Sequence, residues 1–338
     1  MNWYLQNGKD SDVVLSSRVR LSRNIEGIKF TPKCSEEDLK KVYDLMKDAT
    51  IALGYGLKFI DMKDLDDITK KSLVEKRLIS PEFAKSKRSN TAIIINDDEN
   101  ICIVVNEEDH IKLQVFSSGL DLENLMNLAI EIDQKLEKIV PYSFHQQYGY
   151  LTACPTNVGT GLKASVLVHL PALAMTNSTR KVLNIVNNLG MSIRGNYGEN
   201  SKSEGNIYQI SNNQTLGITE KEIIKNLNLI TQKVIKQERV ARKYLTTKSL
   251  DLEDSIYRDF GVLYNARKLS EDETIDMLSN IKLGTDLGII KELNDTKVSK
   301  LMLYTKNANL QKRIGKTLTA YDCNIERAKV VKEIINEK

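Results

Sequence analysis

The chain is 338 residues long, which is enough for about two domains and a sizeable buried core. Apolar residues make up 41% of it and charged residues 28%, which is typical of a soluble globular protein. The formal net charge of +4 argues against a dedicated nucleic-acid-binding protein, which normally carries a much larger basic excess.

The cysteines and the N-terminus indicate the cellular compartment of the protein. The four cysteines are far apart and form neither a CxxC pair nor a zinc-binding spacing, which favours a reducing, intracellular compartment. The polar, acidic N-terminus does not resemble a signal peptide. Apolar stretches such as 166–175 are far shorter than the roughly 20 residues of a membrane-spanning helix. We therefore expect a cytoplasmic protein.

The first part of the chain predicts two helices and several short strands. Residues 35–53 have apolar residues at helical spacing behind Ser35, a suitable N-cap. The apolar face of this helix would be Leu39, Val42, Leu45, Met46 and Ala49. β-type segments follow at 57–60, 91–95, 101–105 and 111–116, and a second helix at 120–139. The turn sequence NDDEN at 96–100 predicts that the second and third segments form a hairpin.

The remainder changes from mixed to purely helical character. Further strands are predicted at 147–153, 164–170, 191–195 and 206–211, with a helix at 179–189. A capping box at Thr219–Glu222 opens a long helix that reaches roughly to residue 244. Beyond it only helical periodicity remains, at 250–260, 270–281, 295–304 and 324–336. We expect an α+β fold, a mainly antiparallel sheet flanked by helices, with domains at 1–245 and 246–338.

The common nucleotide-binding signatures are absent, but one basic segment is suggestive. There is no P-loop, no GxGxxG, and no HRD or DFG motif. In the segment 16–23, Arg18 and Arg20 are two residues apart, so an extended chain would place both side chains on one face. Two such guanidinium groups suit a polyphosphate, because their forked donors match phosphate oxygens. On spacing alone, a solvated basic edge strand is the favoured alternative.

Three further segments have a functional and a structural interpretation. The loop at 154–165, CPTNVGTGLKAS, could bring backbone N–H groups close to an anion beside Lys163, or simply connect two strands. The loop at 194–199, RGNYGE, carries one cation and one carboxylate between glycines. The segment NEEDH at 106–110 is by default an acidic surface turn. The sharper alternative is a carboxylate pair held for an incoming cation.

Together, and in this order, the strings SSRVRLSRN, NEEDH, CPTNVGTGLKAS and RGNYGE resemble the phosphagen (guanidino) kinases. The resemblance to the bacterial protein-arginine kinases of the McsB type is closer, and continues through GNIYQISNNQTLG and LGTDLGIIK over nearly the whole chain. It implies the guanidino-kinase catalytic fold followed by a helical C-terminal domain for dimerisation and regulation. It also implies transfer of the γ-phosphoryl group of ATP, with Mg²⁺, to arginine side chains of proteins.

The resemblance also assigns residues to roles. Glu108 and Glu199 match the catalytic carboxylates, which would orient the substrate guanidinium and accept a proton as the N–P bond forms. Cations on the phosphate side would spread the charge that develops on the transferred group. The implied ATP-binding residues are Ser16, Ser17, Arg18, Val19, Arg20, Arg77, Lys112, Lys163, Ala164, Ser165, Val166, Leu167, Arg194, Gly195, Asn196, Tyr197, Gly198 and Glu199. No residue of the chain is assigned to a metal.

At three positions the chain departs from the family's pattern. Lys112 and Lys163 stand where the family has arginine, and Arg77 replaces a histidine that contacts the nucleotide. Lysine keeps the positive charge but loses the bidentate fork, so phosphate positioning should weaken more than phosphate attraction. A catalytically weakened or inactive relative, which acts as an adaptor that binds ATP or client proteins, is therefore the alternative to an active kinase.

The C-terminal segment departs as well. McsB-type enzymes carry an RDxxRA motif that binds phosphoarginine and activates the kinase. The corresponding residues here are CNIERA at 323–328, in which only Arg327 and Ala328 match. An allosteric site would comprise Asn324 and Arg327. The loss of the first arginine and of the aspartate favours a plain helix surface instead.

The resemblance has implications for substrates and partners. In kinases of free guanidino compounds a whole helical domain precedes the SSRVR segment, whereas here only 15 residues precede Ser16. We therefore expect an open site that suits a protein-borne arginine, with a kinase of free arginine as a further alternative. The implied partners are a McsA-type activator, a Clp chaperone–protease, a heat-shock repressor and a second copy of the chain. The implied role is to mark proteins for Clp-type degradation under stress.

Overall fold

The computed structural model describes residues 2–195, 204–247 and 249–337. Strands and helices are mixed along the chain up to β10, and only helices follow. The strands are β1 (Val14–Arg23), β2 (Lys58–Asp61), β3 (Ala92–Ile95), β4 (Ile101–Val105), β5 (Ile111–Ser118), β6 (Phe144–His145), β7 (Gly149–Tyr150), β8 (Leu162–His169), β9 (Met191–Gly195) and β10 (Ile207–Asn212). The α-helices are α1 (Glu36–Leu53), α2 (Asp67–Glu75), α3 (Pro81–Lys85), α4 (Leu122–Glu137), α5 (Pro171–Met175), α6 (Thr179–Asn188), α7 (Glu220–Thr246), α8 (Ser249–Asn265), α9 (Glu271–Asp286), α10 (Asp295–Tyr304), α11 (Asn307–Ile314) and α12 (Ala320–Asn336).

Eight strands form one antiparallel sheet in the order β2-β3-β4-β5-β1-β8-β10-β9. Strand β1 is central and pairs with β5 on one side and with β8 on the other. The predicted hairpin at 96–100 is confirmed, since β3 pairs with β4. Helices flank the sheet, and the C-terminal region is helical, so the predicted α+β class is confirmed.

The two faces of the central strands differ in chemistry because side chains alternate along each strand. On one face, Val19 and Leu21 of β1 and Ala164 and Val166 of β8 are buried in the main core. Helices α4 and α7 contact these strands and contribute apolar side chains to the same core. The other face of β1 and β8 therefore receives the polar and charged residues, and we call it the polar face.

Local sequence explains where the helices begin. The Ser35 hydroxyl accepts a hydrogen bond from the Asp38 amide at the start of α1, as expected for an N-cap. The predicted capping box at Thr219 and Glu222 opens α7. The predicted apolar face of α1 is buried apart from Leu45, which is 38% exposed. The prediction is wrong for Leu45 because it lies at the edge of the apolar stripe rather than at its centre.

Other differences from the predictions have simple physical causes. The strand predicted at 147–153 is reduced to β7, which pairs with β6 and forms a single bridge with Gly159. Gly149 has a left-handed φ of 73°, and a 3₁₀ helix already begins at Pro155. The short helices α2, α3, α5 and α11 were not predicted, because five to nine residues are too few for a periodic apolar pattern.

The buried apolar residues form three clusters. The main core lies between the sheet and helices α1, α4 and α7, and a second core lies among α8 to α12. A smaller third core, with Trp3, Leu78 and Phe116, covers β3 to β5 on the same face as the polar residues of β1. The division at residue 245 stays a prediction, and an ion pair crosses it, between Arg242 of α7 and Asp286 of α9. No described helix combines the length and apolarity needed to cross a lipid bilayer.

Candidate active site

The polar face of the sheet brings the predicted cations together. Residues that are directly opposite on paired strands share a face. Arg20 of β1 is opposite Lys163 of β8, and Arg18 is opposite Ser165. The Arg18 Nε donates a hydrogen bond to the Ser165 hydroxyl over 3.4 Å. The solvated edge strand is therefore excluded as an interpretation of 16–23, because β1 is the centre of the sheet.

Gln209 of β10 connects the central arginines to more distant ones. The Arg18 Nη2 donates to the Gln209 Oε1 over 3.4 Å, and the Arg77 Nη2 donates to the same oxygen. Gln209 is also directly opposite Arg194 of β9. Arg77 comes from the turn after α2 and has a left-handed φ of 66°, a strained conformation that is typical of functional sites. The sequence analysis missed Gln209, for which strand alternation was the sole available signal.

The positive charges of the arginines on this face repel one another. Burial, together with Arg20 and Arg77, holds the pKa of Arg18 well below its ordinary value. Burial lowers the pKa of Arg20 to about 10, although the nearby Glu108 carboxylate acts in the opposite sense. The Nε of Arg20 is buried and has no hydrogen-bond partner among the described residues. Such a group is costly unless an acceptor arrives, so this part of the protein is built to receive an anion.

Lys112 and Lys163, which stand where the family has arginine, are subject to the same repulsion. Burial, with Arg20 and Arg18, lowers the pKa of Lys112 to about 7. Burial, with Arg20 and Arg194, lowers the pKa of Lys163 to about 8. These mutual effects define one group of cations, which we call the cationic nest: Arg18, Arg20, Arg77, Lys112, Lys163 and Arg194.

Each lysine of the nest also has an internal partner. Lys112 forms an ion pair with the Glu107 carboxylate, which favours the charged lysine and so opposes the lowering of its pKa. The Lys163 Nζ donates to the backbone carbonyl of Asn212. Both lysines are thus partly committed to the protein, whereas an arginine has further donors to offer a ligand.

Glu108 lies beside the nest in the connection between β4 and β5. Its side chain is exposed, and no described residue donates a hydrogen bond to its carboxylate. Partial desolvation of the carboxyl group by the surrounding protein and the neighbouring Asp109 raise the pKa of Glu108, while Arg20 acts in the opposite sense. Glu107 does not join Glu108 as a carboxylate pair, because it accepts a hydrogen bond from the Ser80 hydroxyl over 2.6 Å and binds Lys112. Of these two neighbouring glutamates, Glu108 is the one left to meet a cationic substrate.

The other predicted nucleotide-binding residues lie in different surroundings. The side chains of Val19, Ala164 and Val166 lie in the main core, so only their backbones could approach a ligand on the polar face. Ser17 is buried, and its hydroxyl donates to the Gly119 carbonyl over 2.7 Å. Gly195 ends β9 next to Arg194. The predicted residues outside the described ranges are Asn196, Tyr197, Gly198 and Glu199.

A mainly apolar cavity of about 160 Å³ adjoins the nest. Three predicted nucleotide-binding residues line it, namely Ser16, Arg77 and Leu167. Its walls also include Trp3 and residues of α9 and α10 such as Met302. Trp3 stacks on the ring of Phe116 with 5.3 Å between the ring centroids. The cavity therefore lies where the N-terminal segment, the sheet and the C-terminal helices meet.

The predicted plain helix surface at 323–328 is wrong for Arg327, which is fully buried. Its Nε donates to the Thr305 carbonyl over 2.6 Å, and its Nη1 donates to the Leu269 carbonyl over 2.6 Å and to the Asn324 Oδ1 over 2.9 Å. Its Nη2 donates to the Asn307 side chain. Arg327 thus fastens α12 to the C-terminal end of α10, where carbonyls lack partners within the helix, and to the residue that precedes the N-cap of α9.

Two family models together match most of the chain. Residues 38–241 match the C-terminal catalytic domain of ATP:guanido phosphotransferases, and residues 249–338 match the protein-arginine kinase McsB C-terminal domain. A protein-arginine kinase of Halothermothrix orenii is 45% identical over 99% of this chain and 96% of its own length. A protein-arginine kinase of Clostridium novyi is 44% identical over 98% of this chain and 97% of its own length.

Solved structures agree with this assignment. The duplicated taurocyamine kinase of Schistosoma mansoni, with bound transition-state-analogue components, is 26% identical and superimposes with a TM-score of 0.63 over 71% of this chain. The match spans 35% of that duplicated enzyme. A lombricine kinase at 24% identity shares the fold, with a TM-score of 0.60 over 68% of this chain and 67% of its own. The chain belongs to the ATP:guanido phosphotransferase family and, within it, to the protein-arginine kinases.

Proposed function

We propose that this enzyme transfers the γ-phosphoryl group of ATP to arginine side chains of proteins. The observation that carries the proposal is the cationic nest with the free carboxylate of Glu108 beside it. A dense group of mutually repelling cations is stabilised by a polyphosphate, and a free carboxylate at its edge suits a guanidinium. The names of the full-length relatives support a protein-borne arginine as the acceptor.

The triphosphate of ATP would lie on the nest. Arg20 would donate its unpartnered Nε, and Arg18 could exchange its long contacts to neutral groups for charge-assisted hydrogen bonds. The adjoining cavity with Leu167 and Arg77 would accept the base. Mg²⁺ would be held mainly by the phosphates, as is usual for this ion, and would neutralise part of their charge.

The chemical role of Glu108 is to take a proton. As the N–P bond forms, the bond between the γ-phosphorus and the bridging oxygen breaks, and ADP leaves with that oxygen. The attacking guanidinium nitrogen loses a proton, which Glu108 accepts. The raised pKa of Glu108 makes its carboxylate a better base than an ordinary one. Glu199 would be the second carboxylate that orients the guanidinium.

The test is mass spectrometry for phosphoarginine on an arginine-rich model protein incubated with the purified enzyme and Mg-ATP. We expect acid-labile phosphate on arginine with the natural chain. Glu108→Gln should abolish it, because the amide accepts no proton, while nucleotide binding persists. Trp3, the sole tryptophan, lines the cavity, so its fluorescence can report that binding. Undiminished phosphorylation by Glu108→Gln would refute the assigned role.

The second candidate is an adaptor that binds ATP or clients without catalysis. The commitment of Lys112 to Glu107 and of Lys163 to Asn212 favours it. The double variant Lys112→Arg, Lys163→Arg separates the two functions. Phosphoarginine formed by the double variant but not by the natural chain would establish the adaptor. A competition between free arginine and a protein acceptor tests the third candidate, a kinase of free arginine.

Finer features of the function are proposed from the family resemblance. The phosphorylated proteins would be marked for Clp-type degradation in a cytoplasmic stress response, with a McsA-type activator and a heat-shock repressor as partners. The enzyme would comprise a catalytic domain at 1–245 and a helical domain at 246–338 that forms a homodimer. Exposed apolar residues on α8 support such an interface, since Leu250 is 77% and Val262 is 48% exposed.

A further inference from the structure

The five-residue connection at 106–110, which carries Glu108, is held at both ends. Asn106 has a left-handed φ of 60°, and its amide donates to the His110 carbonyl over 2.9 Å, which closes the loop. On the side that leads to β5, the Asn24 Nδ2 donates to the Asp109 Oδ1 over 2.7 Å. The Asn24 Oδ1 accepts a hydrogen bond from the His110 amide over 3.0 Å. This side of the loop is therefore anchored to the end of β1.

Arg88 holds the side of the loop that follows β4. Its Nη1 donates to the Asn106 carbonyl over 3.1 Å and to the Glu107 carbonyl over 2.5 Å. The Glu107 carbonyl and the Glu108 nitrogen belong to one planar peptide unit. By fixing that carbonyl, Arg88 fixes the orientation of the peptide plane that ends at the Glu108 Cα atom. The direction of the Glu108 side chain depends on that orientation.

The remaining contacts of the loop act at other points. The Asn106 Nδ2 donates to the Leu39 carbonyl over 2.9 Å and to the Asn90 carbonyl over 2.7 Å, which fixes the base of the loop. Lys112 binds the side chain of Glu107 rather than its peptide group. Arg88 is only partly buried, in the segment between α3 and β3, so its truncation should leave the core intact.

We propose that Arg88 is a positioning residue for Glu108, acting through the Asn106 and Glu107 carbonyls. The inference rests on the proposed role of Glu108 as the proton acceptor. The hydrogen bonds that Arg88 donates carry a full charge on the donor and are therefore stronger than those between neutral groups. A misplacement of about 1 Å can lower a rate by about a hundredfold, so the orientation of one peptide unit matters.

Steady-state kinetics of the full chain with Mg-ATP and a protein acceptor test the inference. Arg88→Ala should lower kcat by about ten- to a hundredfold, with the KM for ATP changed less than about twofold. Arg88→Lys should recover part of kcat, because an ammonium group can donate to the same carbonyls. Lys87→Ala, an exposed neighbour in the same segment, is the matched control and should have the kcat of the natural chain. An unchanged kcat for Arg88→Ala would overturn the inference.

A double-mutant cycle separates positioning from a general structural role. If Arg88 acts through Glu108, Arg88→Ala should cost a much smaller factor in a Glu108→Asp background than in the natural chain. Equal losses in both backgrounds would show that Arg88 acts elsewhere. A Glu108→Gln variant with natural turnover would refute the role of Glu108 itself. Loss of activity by Glu108→Gln, with Arg88→Ala unaffected, would refute only the inference about Arg88.

Discussion

The arginines of the C-terminal region and those of the cationic nest differ in their surroundings. In the C-terminal region, every donor nitrogen of Arg327 has an acceptor from the protein. In the cationic nest, Arg18 has two long contacts to neutral groups, and the Nε of Arg20 has none among the described residues. A buried arginine that the protein satisfies is structural. A group of half-buried arginines that the protein leaves partly unsatisfied is prepared for a polyanion.

The largest effect is expected for an arginine of the cationic nest. Arg20→Ala should lower kcat/KM for ATP by about a thousandfold, because a buried cation that contacts the transferred charge is lost. Thermal stability should be unchanged or higher, since one of several mutually repelling charges is removed. Kinetics and a thermal unfolding curve measure both quantities. A marked fall in Tm would instead place Arg20 with Arg327 among the structural arginines.

For Arg327 we expect the reverse, a loss of stability without a loss of ATP affinity. Arg327→Ala should lower the free energy of unfolding by about 3 kcal/mol, because buried carbonyls at helix ends lose their donors. The affinity for ATP in the folded protein should stay the same. Arg258→Ala, at a largely exposed arginine on α8, is the matched control and should change the free energy of unfolding little. Denaturant unfolding with nucleotide titration checks this, and a stable Arg327→Ala variant with weakened ATP binding would contradict it.

A smaller effect is expected from pH. The pKa of Lys112 is lowered to about 7 and that of Lys163 to about 8, so both lysines of the free enzyme lose charge as the pH rises through these values. Bound phosphate favours the charged lysines, so the affinity for ATP should fall about fivefold between pH 6.5 and 9. The Lys112→Arg, Lys163→Arg variant should show a flatter profile, because arginine stays charged. Fluorescence of Trp3 can follow both titrations, and identical profiles would contradict the assignment.

Local rules predicted the parts of the fold that depend on local contacts. The N-cap at Ser35, the capping box at Thr219 and the hairpin at 96–100 each involve residues close in sequence, and all three are confirmed. Alternation along β1 was sufficient to place Arg18 and Arg20 on one face. The short helices were not predicted because they are too short for a periodic apolar pattern, and the exposure of Leu45 was not predicted because it lies at the edge of the apolar stripe.

Local sequence patterns predicted the site only in part. Arg77 and Gln209 are 132 positions apart, yet their side chains meet, and no local pattern could have paired them. The same holds for Arg88, whose contacts to the Glu108 loop require the segment after α3 to lie beside the end of β4. The sequence carries the residue types, but the sheet order brings them within hydrogen-bonding distance.

By itself, the sequence determined the α+β class, the basic segment that carries Arg18 and Arg20 on one face, the family and the residue types of most of the nest. These follow from periodicity and from strings of neighbouring residues. Tertiary structure alone decided which cations are free and which are committed, as with Arg20 and Arg327. The physical reason is that a buried charge is defined by the acceptors around it, and long-range packing supplies those acceptors.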